Sequence, residues 1–180
     1  EALARYLQWV QKAYGRLDLR GVEERQQKIH GLSLSDVYVS LRAVLDASET
    51  TEDAETYPYA RAANDERTVN MRDLFEQTHH MAITGDPGCG KTTYLYIIAS
   101  ALAQARLTKN DALVRQHLGV TAPLPVPIFI PLGEYNRYRR QFSDHENPAY
   151  GTVRGFINRD VRRKVRDLPT DFFDRLLDGD

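Results

Sequence analysis

Residues 80–93 read HMAITGDPGCGKTT, and this stretch decides how the rest of the chain is interpreted. Its central part, Gly85–Thr92, fits the pattern G-x-x-x-x-G-K-[ST] at every fixed position. Glycine at positions 85, 88 and 90 lets successive backbone N–H groups turn towards one point, because no Cβ stands in the way. The pattern predicts a phosphate-binding loop between a buried strand and the N-terminus of a helix.

The residues predicted to bind a nucleotide here are consecutive: Gly85, Asp86, Pro87, Gly88, Cys89, Gly90, Lys91, Thr92 and Thr93. Lys91 is the predicted catalytic residue, since its ammonium can reach the β- and γ-phosphates. The hydroxyl of Thr92 is predicted to ligate Mg²⁺. A catalytic role for Cys89 would require an oriented base, so Cys89 is interpreted as a small residue at a variable loop position.

The segments around the loop predict an alternation of strands and helices. The apolar run 80–84 predicts a strand, 92–107 a buried helix, and 128–132 a second buried strand bordered by prolines. A helix is predicted over 152–167. This order is typical of a parallel sheet, and it predicts a three-layer α/β/α fold of the P-loop NTPase class.

Other segments are predicted from the same kinds of pattern: a helix over 3–14 that Gly15 ends, a strand or extended edge segment over 34–41, an acidic loop over 46–56, a helix over 68–78, a polar loop over 137–148, and a last helix over 171–177 with Thr170 as N-cap. The predicted organisation is an approach segment over 1–78, with helix, extended segment and acidic loop, followed by the first part of a nucleotide-binding core over 79–180.

Composition excludes several other classes of protein. The 180 residues carry a formal net charge of −1, so a dedicated nucleic-acid module is not expected. No run of about 18 apolar residues occurs, so no membrane span is expected, and the protein is predicted to be cytoplasmic. A single cysteine excludes a disulfide framework. The basic residues after Arg137 are interpreted as a solvated surface, with a partner-docking surface as the alternative.

The chain resembles the NACHT domains of bacterial signal-transduction ATPases with numerous domains (STAND). The resemblance lies in YLQWVQKAYGRLDLRG at 6–21, VYVSLR at 37–42 and the loop ITGDPGCGKTT at 83–93. Residues 126–132 resemble that family's next core strand, and 168–177 resemble the segment before its Walker B strand.

The resemblance implies an ATP- or ADP-binding switch, in which nucleotide exchange is coupled to oligomerisation with other copies and to activation of an attached effector. Many such bacterial proteins act in antiphage defence. By position, the resemblance places Val37, Tyr38 and Val39 beside the adenine. The partners it implies are a nucleotide, other copies of the protein and the remaining domains of a longer chain.

Two other functions fit the same motif. The chain could be another P-loop NTPase, of the AAA type or a GTPase, or a scaffold in which bound nucleotide is purely structural. The family's Walker B strand is expected after Asp180. We therefore expect the intact protein to hydrolyse ATP to ADP and the present stretch to be inactive.

Overall fold

The structure is a computed structural model that describes residues 1–15, 42–44, 68–70, 80–120, 123–142, 145, 147 and 149–179. Its elements, in chain order, are α1 (Ala2–Tyr14), β1 (Arg42–Val44), β2 (Thr68–Asn70), α2 (Lys91–Thr108), α3 (Ala112–Leu118), α4 (Leu132–Gln141), α5 (Val153–Phe156), a π-helical turn (Ile157–Val161) and α6 (Phe172–Asp178).

The predicted α/β/α fold with a parallel sheet is wrong for the part of the chain that the structure describes, which is mainly helical. The strands described are β1 and β2, which pair antiparallel with Ala43 opposite Val69. Neither 80–84 nor 128–132 forms a strand. The predicted helix over 68–78 is also wrong at its start, because residues 68–70 form β2. The rest of that helix lies outside the described residues, and so do the predicted extended segment over 34–41 and the acidic loop over 46–56.

The two predicted strands fail to pair because they lie against different hydrophobic clusters. Met81 and Ile83 pack against a cluster that α2 forms with α3. Val126, Ile128 and Ile130 pack against the main cluster, which includes Ala99 and Ala103 of α2. Since α2 contributes to both clusters, each extended segment buries its apolar side chains against a helix instead of against the other segment.

The main hydrophobic cluster joins α1 to the C-terminal half of the chain. Tyr6, Leu7 and Val10 recur at helical spacing and are buried against α2 and α6. The ring of Tyr6 meets the ring of Phe173 edge to face, with 5.2 Å between centroids. The hydroxyl of Tyr6 donates a hydrogen bond of 2.8 Å to the carbonyl of Pro127, which ties the segment before α4 to α1.

The end of α1 confirms the prediction that Gly15 stops this helix. The Gly15 N–H donates to the carbonyl of Gln11 at 2.8 Å. A Cβ at this position would come within 2.4 Å of that carbonyl and 2.9 Å of Ser100 Oγ on α2. Glycine is therefore needed here because a Cβ would clash with the last turn of α1 itself and with Ser100 of α2, not because of an unusual φ.

The predicted helix over 92–107 is confirmed as α2, which is buried on two sides although Leu95 is exposed. Ala99 and Ala103 contribute to the main cluster, and a second cluster covers the other side of the helix. Val114 and Leu118 of α3 complete the second cluster. Helix α3 was not predicted.

Two predictions after residue 130 need correction. The prediction of a polar loop over 137–148 is wrong at its start, because residues 137–141 belong to α4, which runs from Leu132 to Gln141. Instead of one helix over 152–167, the chain forms α5, then a π-helical turn, and leaves the helical conformation before Asp167, whose φ is 59°. The last helix begins one residue later than predicted, after Asp171 instead of Thr170.

Candidate phosphate-binding site

The loop at 85–90 has the backbone conformation that its glycines predict. Gly85, Gly88 and Gly90 all have positive φ, at 145°, 85° and 90°. A Cβ at Gly88 or Gly90 would meet no atom within 4 Å, so the constraint on these two residues is conformational and not steric. The Cys89 N–H donates to the carbonyl of Asp86 at 3.3 Å and closes the turn between them.

Helix α2 begins directly at the end of this loop. Gly90 is its N-cap in the left-handed conformation, and no side chain caps the helix. The first helical hydrogen bond runs from the Tyr94 N–H to the Gly90 carbonyl at 2.8 Å. The N–H groups of the first turn, with the positive end of the helix dipole, therefore face the loop.

Lys91 folds back over the loop from the first position of α2. Its Nζ donates to the carbonyls of Gly85 and Asp86, both at 2.7 Å, and lies 3.4 Å from Cys89 Sγ. The ammonium thus connects the two ends of the loop and brings its positive charge to the same face as the helix N-terminus.

The loop is open to solvent. Residues 84–89 and Thr92 are exposed, while Gly90, Lys91 and Thr93 are half-buried. Met81 and Ile83 are half-buried beside the second cluster, whereas Ala82 and Thr84 between them are exposed. This alternating segment fixes the start of the loop against α2 without any pairing to a strand in the described residues.

The nine residues predicted to contact phosphate or metal, Gly85 to Thr93, are consecutive and form the loop and the first turn of α2. It describes none of Val37, Tyr38 and Val39, so the predicted adenine contact lies outside the described residues. The partners of Lys91 were not predicted, because a sequence pattern places a lysine near phosphates without showing which loop carbonyls hold it.

Among the described residues, no three His, Cys, Asp or Glu side chains are grouped closely enough to hold a metal ion. None of the helices described has the length and apolar composition needed to cross a membrane.

Comparisons with models of known families, with curated proteins and with solved structures found no match to this chain.

Proposed function

We propose that residues 85–93 bind the phosphate groups of ATP or ADP, and that the chain is the nucleotide-binding part of a cytoplasmic signalling switch. The observation that carries this proposal is the position of the Lys91 ammonium, held across a loop of three positive-φ glycines at the start of an 18-residue helix.

Three features of the loop suit the phosphate groups of a nucleotide. Successive backbone N–H groups at a turn and at a helix N-terminus can surround several oxygens of one group. The ammonium adds a mobile charge with three donors, which can pass from the two carbonyls to phosphate oxygens. Because residues 84–89 are exposed, a ligand as large as a nucleotide can approach the loop without displacing the hydrophobic clusters.

Mg²⁺ fits this loop as a companion of the nucleotide. The Thr92 hydroxyl is exposed on the first turn of α2 and supplies one oxygen ligand. Mg²⁺ commonly keeps several waters and takes its other ligands from substrate phosphates, so a single side-chain oxygen suits it. The ion would neutralise phosphate charge, and Lys91 and the N-terminus of α2 would position the phosphates beside it.

The proposal rests on the loop and on α2, without a parallel sheet. The switch that the NACHT resemblance implies would exchange ADP for ATP, associate with other copies and signal through further domains, in a role such as antiphage defence. Contact of residues 37–39 with the adenine remains a prediction.

Nucleotide binding is tested by titration calorimetry of the full chain with ATP, ADP and GTP, each with and without Mg²⁺. We expect ATP and ADP to bind, and Lys91→Ala to weaken both by about ten- to a hundredfold. That range corresponds to the loss of charge-assisted hydrogen bonds of about 1.5–3 kcal/mol.

Lys109→Ala is the matched control. Lys109 is an exposed lysine at the other end of α2, so its loss changes the net charge equally and leaves the loop intact. Equal affinities in the wild type and Lys91→Ala would refute the proposed phosphate contact, and GTP binding tighter than ATP binding would favour a GTPase. Wild-type protein that binds none of the three nucleotides would refute the proposal as a whole.

A further inference from the structure

A cleft of about 350 Å³ lies far along the chain from the phosphate loop, between the end of α4, the π-helical turn and α6. Its walls include Tyr138, Tyr150 and three arginines, Arg159, Arg162 and Arg163. The volume is within the range of small-molecule sites and exceeds what a single inorganic ion needs.

The three arginines lie close together in the chain and share one wall of the cleft. Arg159 belongs to the π-helical turn, and Arg162 and Arg163 follow directly after it. The same stretch carries Ile157, Val161 and Val165, all buried in the main cluster. The packing of those apolar side chains against the core therefore turns the arginines towards the cleft.

In the part of the chain that the structure describes, none of the three arginines of this wall forms an ion pair with a carboxylate. Asp174 also lines the cleft, but it accepts from Arg154 at 3.2 Å and from the Asn158 amide at 2.8 Å.

The same wall is held in place before any ligand arrives. Arg159 lies over the ring of Phe142, with 4.4 Å between Cζ and the centroid, and one of its terminal nitrogens is buried without a hydrogen-bond partner among the described residues. Arg162 Nε donates to the carbonyl of Asn158 at 3.0 Å. A partly desolvated guanidinium with no carboxylate partner among the described residues raises the electrostatic potential of the cleft, since it loses the screening of water.

We propose that this cleft binds a small organic molecule through its phosphoryl group. A carboxylate has two oxygens and is matched by one guanidinium, whereas a phosphoryl dianion offers three oxygens and twice the charge to the three arginines. The rings of Tyr138 and Tyr150 supply apolar surface for the organic part. The site is independent of the loop at 85–93.

The test is NMR titration of the full chain, followed through the side-chain Nε–Hε signals of the three arginines, which separates this cleft from the phosphate loop. The probe is phenyl phosphate, with benzoate as its carboxylate counterpart and sodium chloride at matched ionic strength. We expect saturable shifts with phenyl phosphate, and affinity about tenfold lower in Arg163→Gln.

Arg163 is the first variant because it is exposed and forms no ion pair with the described residues. Arg159→Gln is the second variant, and its thermal midpoint is compared with that of the wild type. Arg166→Gln, an exposed arginine outside the cleft, is expected to stay within twofold of the wild type. The proposal is overturned if Arg163→Gln and Arg159→Gln both keep the wild-type affinity, if benzoate binds as tightly as phenyl phosphate, or if chloride reproduces the shifts.

Discussion

Replacing Tyr6 with phenylalanine tests how α1 is attached to the rest of the chain. The hydroxyl of Tyr6 donates to the carbonyl of Pro127 at 2.8 Å, and both residues are buried. Phenylalanine keeps the ring and therefore its edge-to-face contact with Phe173. Only the hydrogen bond is lost, and the Pro127 carbonyl remains buried without that donor.

An unpaired buried acceptor costs about 1–3 kcal/mol of the free energy of unfolding. In a chain of this length 1 kcal/mol corresponds to about 2–4 °C in Tm, so Tyr6→Phe should lower Tm by about 2–12 °C. Tyr14→Phe is the control at pH 7, because the described residues show no hydrogen bond from the Tyr14 hydroxyl although its ring stacks on Tyr96.

The effect of Tyr6→Phe should also depend on pH. Burial raises the pKa of Tyr6 above its ordinary value of 10.0, with a smaller contribution from Tyr14. Above pH 10 the unfolded chain therefore loses a proton that the folded chain retains, and the wild type loses stability as pH rises. Phenylalanine has no such proton, so the difference in unfolding free energy between wild type and variant should shrink between pH 7 and pH 11.

The assay is urea unfolding of both proteins at these two pH values, followed by circular dichroism. Equal stability of wild type and Tyr6→Phe at pH 7 would show that the Pro127 carbonyl is not held as described. A difference that stays constant up to pH 11 would show that Tyr6 does not keep its proton through burial.

Two further predictions concern the C-terminal half of the chain. Phe173→Ala should lower the free energy of unfolding by about 3–5 kcal/mol in urea titrations, because this fully buried ring leaves a cavity; a loss below about 1 kcal/mol would contradict its place in the core. A hydrogen bond from Arg154 holds the pKa of Asp178 below its ordinary value of 3.8, so this pair stabilises the fold above that pH and stops doing so as pH falls through the folded pKa. Arg154→Ala should raise the Asp178 pKa in a carboxyl NMR titration, and an unchanged value would contradict the pairing.

Local sequence signals predicted the helices better than the sheet. The alternation of Met81 and Ile83 with exposed neighbours is real, but a short apolar run does not show which surface will cover it. Here a helix face covers it. A strand requires hydrogen bonds to a distant segment, and neither composition nor periodicity identifies that segment.

Helix α4 was missed because its residues are mostly polar. Its ends nevertheless carry the usual signals: Pro131 before the first turn, Glu134 within it, and Arg139 and Arg140 in the last turn. Tyr135 and Tyr138, three residues apart, supply the side that packs against Phe156. The residues at the two ends of α4 are therefore a better indication of a helix here than the polarity of 137–148 is of a loop.

The conformation of the phosphate loop could be predicted from the sequence, whereas the pairing of strands could not, because the features that shape the loop are local. Its conformation depends on the positive φ of three glycines, and Lys91 reaches carbonyls only five and six residues before it. Neither feature needs strand pairing, so a loop with this chemistry forms beside a helix that packs against other helices and against extended segments. If nucleotide binding depends on the loop, substitutions at Lys91 should alter the affinity for nucleotide strongly, whereas core substitutions that leave α2 folded should alter that affinity little.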